Sequence, residues 1–226
     1  MEIKGFIETS FLDWPGKICA VLFLPYCNLR CPYCHNHELV LHPERLSDFP
    51  WGAVQQRLKV LRNWLDGVCI TGGEPTLHSD LPELLDRIHG LRLAVKLDTN
   101  GTHPKMLEFL ISQRLVDYLS MDIKGPLDQE SYGRSAGVRI SIPEIKKSME
   151  FILSGRVAGE FRTTVVPEWH TAPVMAQMAL ELKQAPKWRH QEFNRAQAMD
   201  PALRGERGQG FEGVGHKGDG SQSIHS

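Results

Sequence analysis

The sequence lacks the features that would assign it to a membrane or to nucleic acid. Its 26 Lys and Arg residues are balanced by 27 Asp and Glu, so a formal net charge of −1 gives no attraction to an anionic polymer or lipid surface. No apolar run approaches the ~18 residues that a membrane-spanning helix needs. Residues 1–4 also lack the basic-then-apolar pattern of a signal peptide. We therefore expect a cytoplasmic protein that binds neither nucleic acid nor a membrane.

Cysteine is scarce and unevenly distributed. An odd total of five, without a secretory signal, argues against a framework of disulfides. Three of the five, Cys27, Cys31 and Cys34, lie on one short stretch with the spacing C-x3-C-x2-C. Thiolates this close together can bind one iron–sulfur cluster, and a [4Fe–4S] cube normally takes four cysteines, so one iron would lack a protein ligand. An open coordination position is typical of a reactive metal site.

A zinc site remains an alternative for the same stretch. The three cysteines could bind zinc together with His35 or His37, but zinc modules usually add a second pair of ligands further along the chain, and none appears. The other two cysteines, Cys19 and Cys69, lie inside apolar runs, and we expect them in the core. The cysteine pattern therefore favours an iron–sulfur cluster.

Strand-like and helix-like segments alternate along the chain. Apolar and β-prone runs predict six strands, at residues 18–24, 67–71, 91–98, 117–123, 160–166 and 188–193. Apolar residues at helical spacing predict helices at residues 51–65, from 80 onward, 104–113, 141–153 and 173–183. The helices that begin near residues 80 and 141 each start with a capping-box sequence. Six β/α units imply a parallel sheet and are too few for the full eight-fold barrel. We expect an α/β fold, a partial (β/α)6 TIM-type barrel open along one side, with a small hairpin from residues 1–17 over one end.

Unusual sequences follow the first five predicted strands. The cysteine stretch follows the first strand. The others are Gly72-Gly73-Glu74-Pro75, Asp98-Thr99-Asn100-Gly101, Asp122-Ile123-Lys124 and Pro167-Glu168-Trp169-His170. Taken singly, each could be an ordinary turn, a solvated strand end or a loop. Because the carboxyl ends of parallel strands meet at one rim, where barrel enzymes carry their chemistry, we expect these sequences to form one site.

Two stretches resemble a known family. The cysteine spacing, followed by His35 and Asn36, resembles the radical S-adenosylmethionine (SAM) superfamily and its branch that activates glycyl-radical enzymes. The opening stretch 11–17, FLDWPGK, resembles the anaerobic ribonucleoside-triphosphate reductase activating proteins in their single-cluster form. The resemblance covers about residues 1–203. It departs from the family at residues 191–195, where QEFNR stands in place of Gln-x-Phe-Arg-Pro.

The resemblance implies a set of site residues. The three loop cysteines would hold three irons of a [4Fe–4S] cluster, and SAM would bind the fourth through its amino and carboxylate groups. The residues assigned to SAM in this way are Tyr33, Gly72, Gly73, Glu74, Pro75, Asp98, Asn100, Asp122, Lys124 and His170. Within that set, the glycines let a ligand approach the backbone, and Glu74 offers a carboxylate near the methionyl ammonium.

Two further groups of residues follow from the resemblance. His35 and Asn36 come directly after the last cysteine, and we expect them to tune the cluster by hydrogen bonding. Asp98, Thr99 and Asp122 lie at strand ends where related activases hold a monovalent cation, and we expect the same here.

The implied activity is that of an iron–sulfur oxidoreductase. It would take an electron from flavodoxin or ferredoxin, cleave SAM reductively and generate a 5′-deoxyadenosyl radical. The radical would abstract hydrogen from a glycine of a partner, anaerobic ribonucleotide reductase being the first choice. The alternative substrates are a glycyl-radical enzyme of the pyruvate formate-lyase type or a small molecule. The alternative from a different class is a non-catalytic zinc or iron–sulfur binding module.

The chain changes character near its end. Glycine recurs through residues 204–226, and little apolar bulk accompanies it. Such a segment buries too little surface to offset the entropy of ordering it. We therefore expect a radical SAM core domain over residues 1–203 and a disordered, glycine-rich tail over residues 204–226.

Overall fold

The computed structural model describes residues 1–205, so the expectation for the tail lies almost wholly outside the described residues. Within them, one sheet contains seven strands in the order of the chain. These are β1 (Gly5–Ser10), β2 (Cys19–Leu24), β3 (Gly67–Gly72), β4 (Ala94–Thr99), β5 (Tyr118–Asp122), β6 (Ala158–Val165) and β7 (Trp188–Glu192). β1 pairs antiparallel with β2, and the pairs from β2 to β7 are all parallel.

Helices connect the parallel strands in the same part of the chain. They are α1 (His37–Leu41), α2 (Trp51–Leu61), α3 (Leu81–His89), α4 (Pro104–Ser112), α5 (Gln129–Ala136), α6 (Ile142–Leu153) and α7 (Ala172–Glu181). Short 3-10 helices lie at Pro43–Arg45, Pro75–Leu77, Arg195–Gln197 and Pro201–Arg204. None of the helices within residues 1–205 is both long and apolar enough to cross a membrane.

The sheet has two different faces because successive side chains of a strand point to opposite sides. Along β2, Ala20, Leu22 and Leu24 belong to the main core, together with the buried residues of the helices. The alternating residues Cys19 and Val21 belong to a smaller cluster with Trp14 and Cys69 on the other side of the sheet. The side of the sheet away from the main core is therefore the interior of the partial barrel.

Strand register places the carboxyl ends of the strands side by side. Leu24 at the end of β2 pairs with Gly72, and Thr99 at the end of β4 pairs with Met121. At the end of β5, Asp122 pairs with Arg162 of β6. The sequences that follow β2 to β6 are thus held at one rim, as predicted.

The expected partial barrel is confirmed, with two corrections at its start and its helix ends. Residues 1–17 do not form a separate hairpin, because their one strand, β1, pairs with β2 and becomes an edge of the sheet. α3 and α6 begin where the capping boxes predicted, but neither Asp80 nor Ser141 caps its helix through the side chain. The Asp80 carboxylate instead binds the Met1 ammonium at 2.7 Å. The short helices α1 and α5 were not predicted.

Candidate active site

A cavity of about 350 Å3 lies among the loops that follow the strands. Ten of the thirteen residues assigned to the cluster or to SAM line it: Cys27, Cys31, Tyr33, Cys34, Gly72, Gly73, Asp98, Asn100, Asp122 and Lys124. His35, Asn36 and Thr99 line it as well. Three predicted residues, Glu74, Pro75 and His170, are not in its lining. The structure therefore brings most of the predicted site together and assigns those three to other contacts.

The three loop cysteines are largely shielded from water. Burial raises the pKa of Cys27 to about 11 and also raises the pKa values of Cys31 and Cys34. The backbone N–H of Leu29 donates to Cys27 Sγ at 3.4 Å and opposes this shift in part. Because thiols bind metals as thiolates, metal binding here must displace their protons.

The cysteine loop is held by segments that come much later in the chain. The backbone N–H of Arg30 donates to Ala136 O at the end of α5 at 2.9 Å, and that of Asp200 donates to Pro32 O at 2.8 Å. The ring of Phe193, just after β7, stacks on His35 with a centroid distance of 6.0 Å. His35 Nε2 accepts the backbone N–H of Asn194 at 3.2 Å, so the departure from the family pattern at residues 191–195 lies against this loop.

Close backbone approach explains the two cavity-lining glycines. Gly72 has φ +117°, and a Cβ there would lie 2.4 Å from Leu24 O. A Cβ on Gly73 would lie 1.8 Å from Tyr26 O. The side chain of Asn36 donates to Gly72 O at 3.1 Å. The glycines thus let the end of β3 pack against the backbone that enters the cysteine loop.

Glu74 does not offer a free carboxylate to a ligand. The side chain is fully buried, and Oε1 accepts the hydroxyl protons of Thr76 at 2.5 Å and Thr99 at 2.8 Å. Oε2 accepts the backbone N–H of Asn100 at 2.6 Å. Burial raises the pKa of Glu74, and these hydrogen bonds oppose the shift. The expected contact with the methionyl ammonium is therefore not supported, because Glu74 joins the end of β3 to the end of β4.

His170 and Pro75 also have structural partners. His170 Nδ1 accepts the backbone N–H of Val166 at 3.0 Å, and Nε2 lies 3.1 Å from Lys124 O, to which it can donate. Burial lowers the pKa of His170, which favours this neutral form. Pro75 is buried in the first position of a 3-10 helix. His170 therefore ties the loop after β6 to the end of β5 rather than facing the cavity.

Five charged side chains on β4, β5 and β6, and just after β5, form a network of ion pairs. Asp98 forms ion pairs with Lys96 and with Arg162 Nη1, the latter at 3.0 Å. Asp122 pairs with Lys124 at 2.9 Å and with Arg162 Nη2 at 3.0 Å. Although burial opposes ionisation, the neighbouring cations lower the pKa of Asp98 and hold that of Asp122 at about 2. Three cations and two carboxylates thus share one network, of which Asp98, Asp122, Lys124 and Arg162 line the cavity.

The expected monovalent-cation site is not supported by this arrangement. Arg162 already lies between Asp98 and Asp122, and the hydroxyl of Thr99 donates to Glu74. Within residues 1–205, no three His, Cys, Asp or Glu side chains lie close enough together to bind one metal ion.

The residues present fit the two implied cofactors. The three loop thiols and the ammonium of Lys124 all line the cavity, and a cationic group there suits the carboxylate of SAM. The buried hydroxyl of Tyr33 has no hydrogen-bond partner within the described residues, although the ring lies in the cavity wall. Such an orphaned polar atom is expected where a polar ligand completes a site.

The sequence analysis missed Lys96 and Arg162 of the charged network, and it did not assign Asp13 or Arg30, which line the cavity, to the site. Lys96 is fully buried inside β4, and Arg162 lies inside β6 with its side chain in the cavity wall. The available signal was a charged residue within an apolar strand, since Lys96 precedes Asp98 by two positions and so shares its face. Thr164, Gln191 and Met199 also line the cavity without an earlier signal.

Comparisons of the sequence with those of known proteins identify relatives of this chain. A protein of Methanocaldococcus jannaschii named "Putative glycyl-radical enzyme activating enzyme" is 33% identical to this chain over 205 residues. The match covers 88% of this chain and 82% of that protein. The 7-carboxy-7-deazaguanine synthase of Aquifex aeolicus is 36% identical over 38% of each chain. This chain therefore spans most of the first relative and well under half of the second.

Solved structures share the fold at low sequence identity. Streptococcus suis SuiB bound to S-adenosylmethionine matches with a TM-score of 0.54 and 18% identity, over 77% of this chain and 40% of SuiB. Native anSMEcpe with bound AdoMet matches with a TM-score of 0.57 and 19% identity, over 75% of this chain and 50% of the other. At such identities the likeness shows the fold alone.

The profile of the radical SAM superfamily matches residues 21–170, which include the cysteine loop and the ends of β2 to β6. Members of this superfamily use a [4Fe–4S] cluster and SAM, the two cofactors implied by the resemblance of the cysteine stretch. This chain belongs to the radical SAM superfamily.

Proposed function

We propose that this protein activates a glycyl-radical enzyme, with anaerobic ribonucleotide reductase as the first candidate. The observation that carries the proposal is the 33% identity, over 88% of the chain, to a protein named as such an activating enzyme. The opening stretch 11–17 supports the choice of partner, and Asp13 within it lines the same cavity as the loop cysteines.

Cys27, Cys31 and Cys34 are the residues that would hold the cluster. All three line the same cavity, and the fourth iron would be free to bind SAM. When bound, the cluster and SAM supply the reductive cleavage of the sulfonium bond and the hydrogen abstraction that follows. The protein contributes binding, orientation and exclusion of water. The other two cysteines of the chain, Cys19 and Cys69, are fully buried in the barrel interior and have no part in this.

The residues around the cavity would orient SAM. The cationic group of Lys124 suits the carboxylate, and the backbone at Gly72 and Gly73 offers polar atoms to the amino group. Tyr33 has an unpartnered hydroxyl in the same wall. Asp98 and Asp122 take part mainly through Arg162 and Lys124, whose positions they hold.

The shape of the barrel favours a protein substrate. Within the described residues β1 and β7 are the two edges of the sheet, and no pairing closes them into a barrel. A small-molecule enzyme usually buries most of its substrate, whereas an unclosed barrel can admit a loop of a partner. We accordingly assign the glycine-bearing loop of the partner to this open side, and flavodoxin or ferredoxin to the supply of electrons.

The test is an anaerobic activation assay. Reconstituted protein, SAM, a reductant and the candidate reductase are mixed, the electron paramagnetic resonance (EPR) spectrum is recorded, and 5′-deoxyadenosine is quantified. We expect a glycyl-radical signal only when all components are present, and none with the Cys31→Ala variant. Flavodoxin and ferredoxin are compared in place of the chemical reductant.

The other outcomes discriminate among the alternatives. A radical on an enzyme of the pyruvate formate-lyase type, but not on the reductase, would replace the partner and keep the activase function. SAM cleavage without a radical on either protein would instead point to a small-molecule substrate. A colourless protein with stoichiometric zinc would overturn the cluster assignment altogether.

A further inference from the structure

The side chain of Asn100 lies between the end of β4 and the first cysteine of the loop. Its Nδ2 donates to Asn28 Oδ1 at 2.9 Å and lies 3.8 Å from Cys27 Sγ, within reach of an N–H···S hydrogen bond. Asn100 is 5% exposed, so water does not compete freely for this contact. No other side-chain amide in the described residues donates to a loop thiol.

The orientation of the Asn100 amide is fixed by its neighbours. Thr102 donates to Asn100 Oδ1 twice, through its backbone N–H at 3.0 Å and its hydroxyl at 2.7 Å. Because an N–H and an O–H both point at this atom, it must be the oxygen, and the other atom of the amide must be the donor. The N–H groups of Asn100 therefore face Cys27 and Asn28 by necessity.

The backbone of Asn100 is fixed as firmly as its side chain. Its N–H donates to the fully buried Glu74 carboxylate at 2.6 Å, and Thr99 donates to the same carboxylate. Asn28, in turn, donates to the Thr102 hydroxyl at 2.8 Å. This closed set of hydrogen bonds gives the amide one position relative to the cysteine loop.

We infer that Asn100 is a positioning residue that donates a hydrogen bond to the Cys27 thiolate and thereby raises the reduction potential of the cluster. Hydrogen bonds to the sulfurs stabilise the more negative, reduced state of an iron–sulfur cluster. The fixed amide supplies such a donor on the cavity side of the loop. The inference rests on Cys27 as a cluster ligand and does not depend on which partner enzyme is activated.

Two substitutions test the inference without relying on turnover. Asn100→Ala removes the donor, and Asn100→Asp keeps an acceptor for Thr102 while placing a carboxylate oxygen where the N–H group was. The matched control is Asn63→Asp, the same chemical change at an exposed position after α2. Iron content is measured first, and then the midpoint potential of the cluster by a mediated titration followed by EPR.

We expect the midpoint potential to fall in the order wild type, Asn100→Ala, Asn100→Asp, with Asn63→Asp unchanged from wild type. Thr102→Val provides a milder variant, because it keeps the amide and removes one of the groups that orient it. Thr102→Val should lower the midpoint potential by a smaller amount than the Asn100 variants do. If the Asn100 variants bind no iron, the midpoint potential of Thr102→Val is the test of the inference. Unchanged potentials in iron-loaded Asn100→Ala, or in Thr102→Val where the Asn100 variants bind none, would overturn the inference. Full iron content in Cys27→Ala would overturn the ligand assignment beneath it.

Discussion

Arg162 on β6 donates to Asp98 on β4 at 3.0 Å, across the intervening strand β5. Neighbouring strands lie roughly 4.8 Å apart, so this contact needs the full length of an arginine side chain. On its way the guanidinium also meets Asp122 of β5 at 3.0 Å. One side chain thus connects three strand ends beneath the cavity. Because Arg162 bonds to both carboxylates, we expect a substitution at one of these three residues to shift the side chains of the other two.

Loss of the Arg162 guanidinium should be costly. Arg162→Gln would leave Asp98 and Asp122 buried beside each other with one cation less, and breaking a buried ion pair typically costs about 3–5 kcal/mol. The measurement is urea unfolding of the cluster-free protein at neutral pH. Arg87→Gln is the control, because its pair with Glu83 is exposed and should be worth less than about 1 kcal/mol. Equal losses in the two variants would contradict the role given to Arg162.

The stability of the protein should fall in mildly acidic solution partly through His170. Burial lowers the pKa of this side chain in the fold, with Arg134 and His190 contributing, whereas the unfolded chain keeps a pKa near ~6.5. A depressed histidine pKa gives stability that is complete above about pH 6.5 and is lost as the pH falls below it, since the unfolded state then binds the proton more readily.

The measurement compares the free energy of unfolding near pH 7.5 and near pH 5.5. His170→Gln should lose less stability than wild type over this interval, because glutamine does not titrate. His35, whose pKa burial also lowers, remains in both proteins and cancels in the comparison. An identical loss in both proteins would show that the protonation of His170 is not coupled to folding.

A side chain at Gly73 should disturb the protein before any cofactor is added. The Cβ of Gly73→Ala would lie 1.8 Å from Tyr26 O, so the backbone between β2 and the cysteine loop must move. We expect a loss of more than about 1 kcal/mol in the unfolding free energy of the cluster-free protein, together with weaker SAM binding after reconstitution. Gly52→Ala is the control, since nothing lies within 4 Å of the new Cβ in α2 and alanine should be neutral or stabilising. Unchanged stability in Gly73→Ala would contradict the close approach seen here.

The cysteines should divide into two classes by their effect on iron. Cys31→Ala should abolish the cluster, as should the same change at Cys27 or Cys34, whereas Cys69→Ala should keep it. Cys69 is fully buried on β3 and lies 3.5 Å from Lys96 Nζ, away from the cavity lining, so its loss should cost stability alone. Iron and sulfide analysis of anaerobically reconstituted variants provides the measurement. Retention of iron without Cys31, or its disappearance without Cys69, would contradict this division.

The sequence determined the architecture and the place of the site. Apolar runs such as residues 18–24 are buried on both faces and form the central strands, and their spacing allows only parallel pairing through helices. The cysteine loop and the sequences after β3, β4 and β5 had to meet at one rim once the strands were parallel. These properties follow from local patterns and chain direction, which a single sequence contains.

The tertiary structure alone decided which of the rim residues face the cavity. Glu74 and His170 carry the groups expected of ligand contacts, but both side chains bond to the protein instead. The Glu74 carboxylate accepts hydrogen bonds from Thr76, Thr99 and Asn100. The His170 imidazole bonds to the backbone of Val166 and Lys124. A buried polar group bonds to whichever partner the fold brings within about 3 Å, and these partners come from neighbouring loops that the sequence separates. For the same reason the sequence did not reveal the role of Arg162, whose two carboxylate partners lie 40 and 64 residues away along the chain. Position at the rim was thus readable from the sequence, whereas the direction of each polar side chain depended on its neighbours in space.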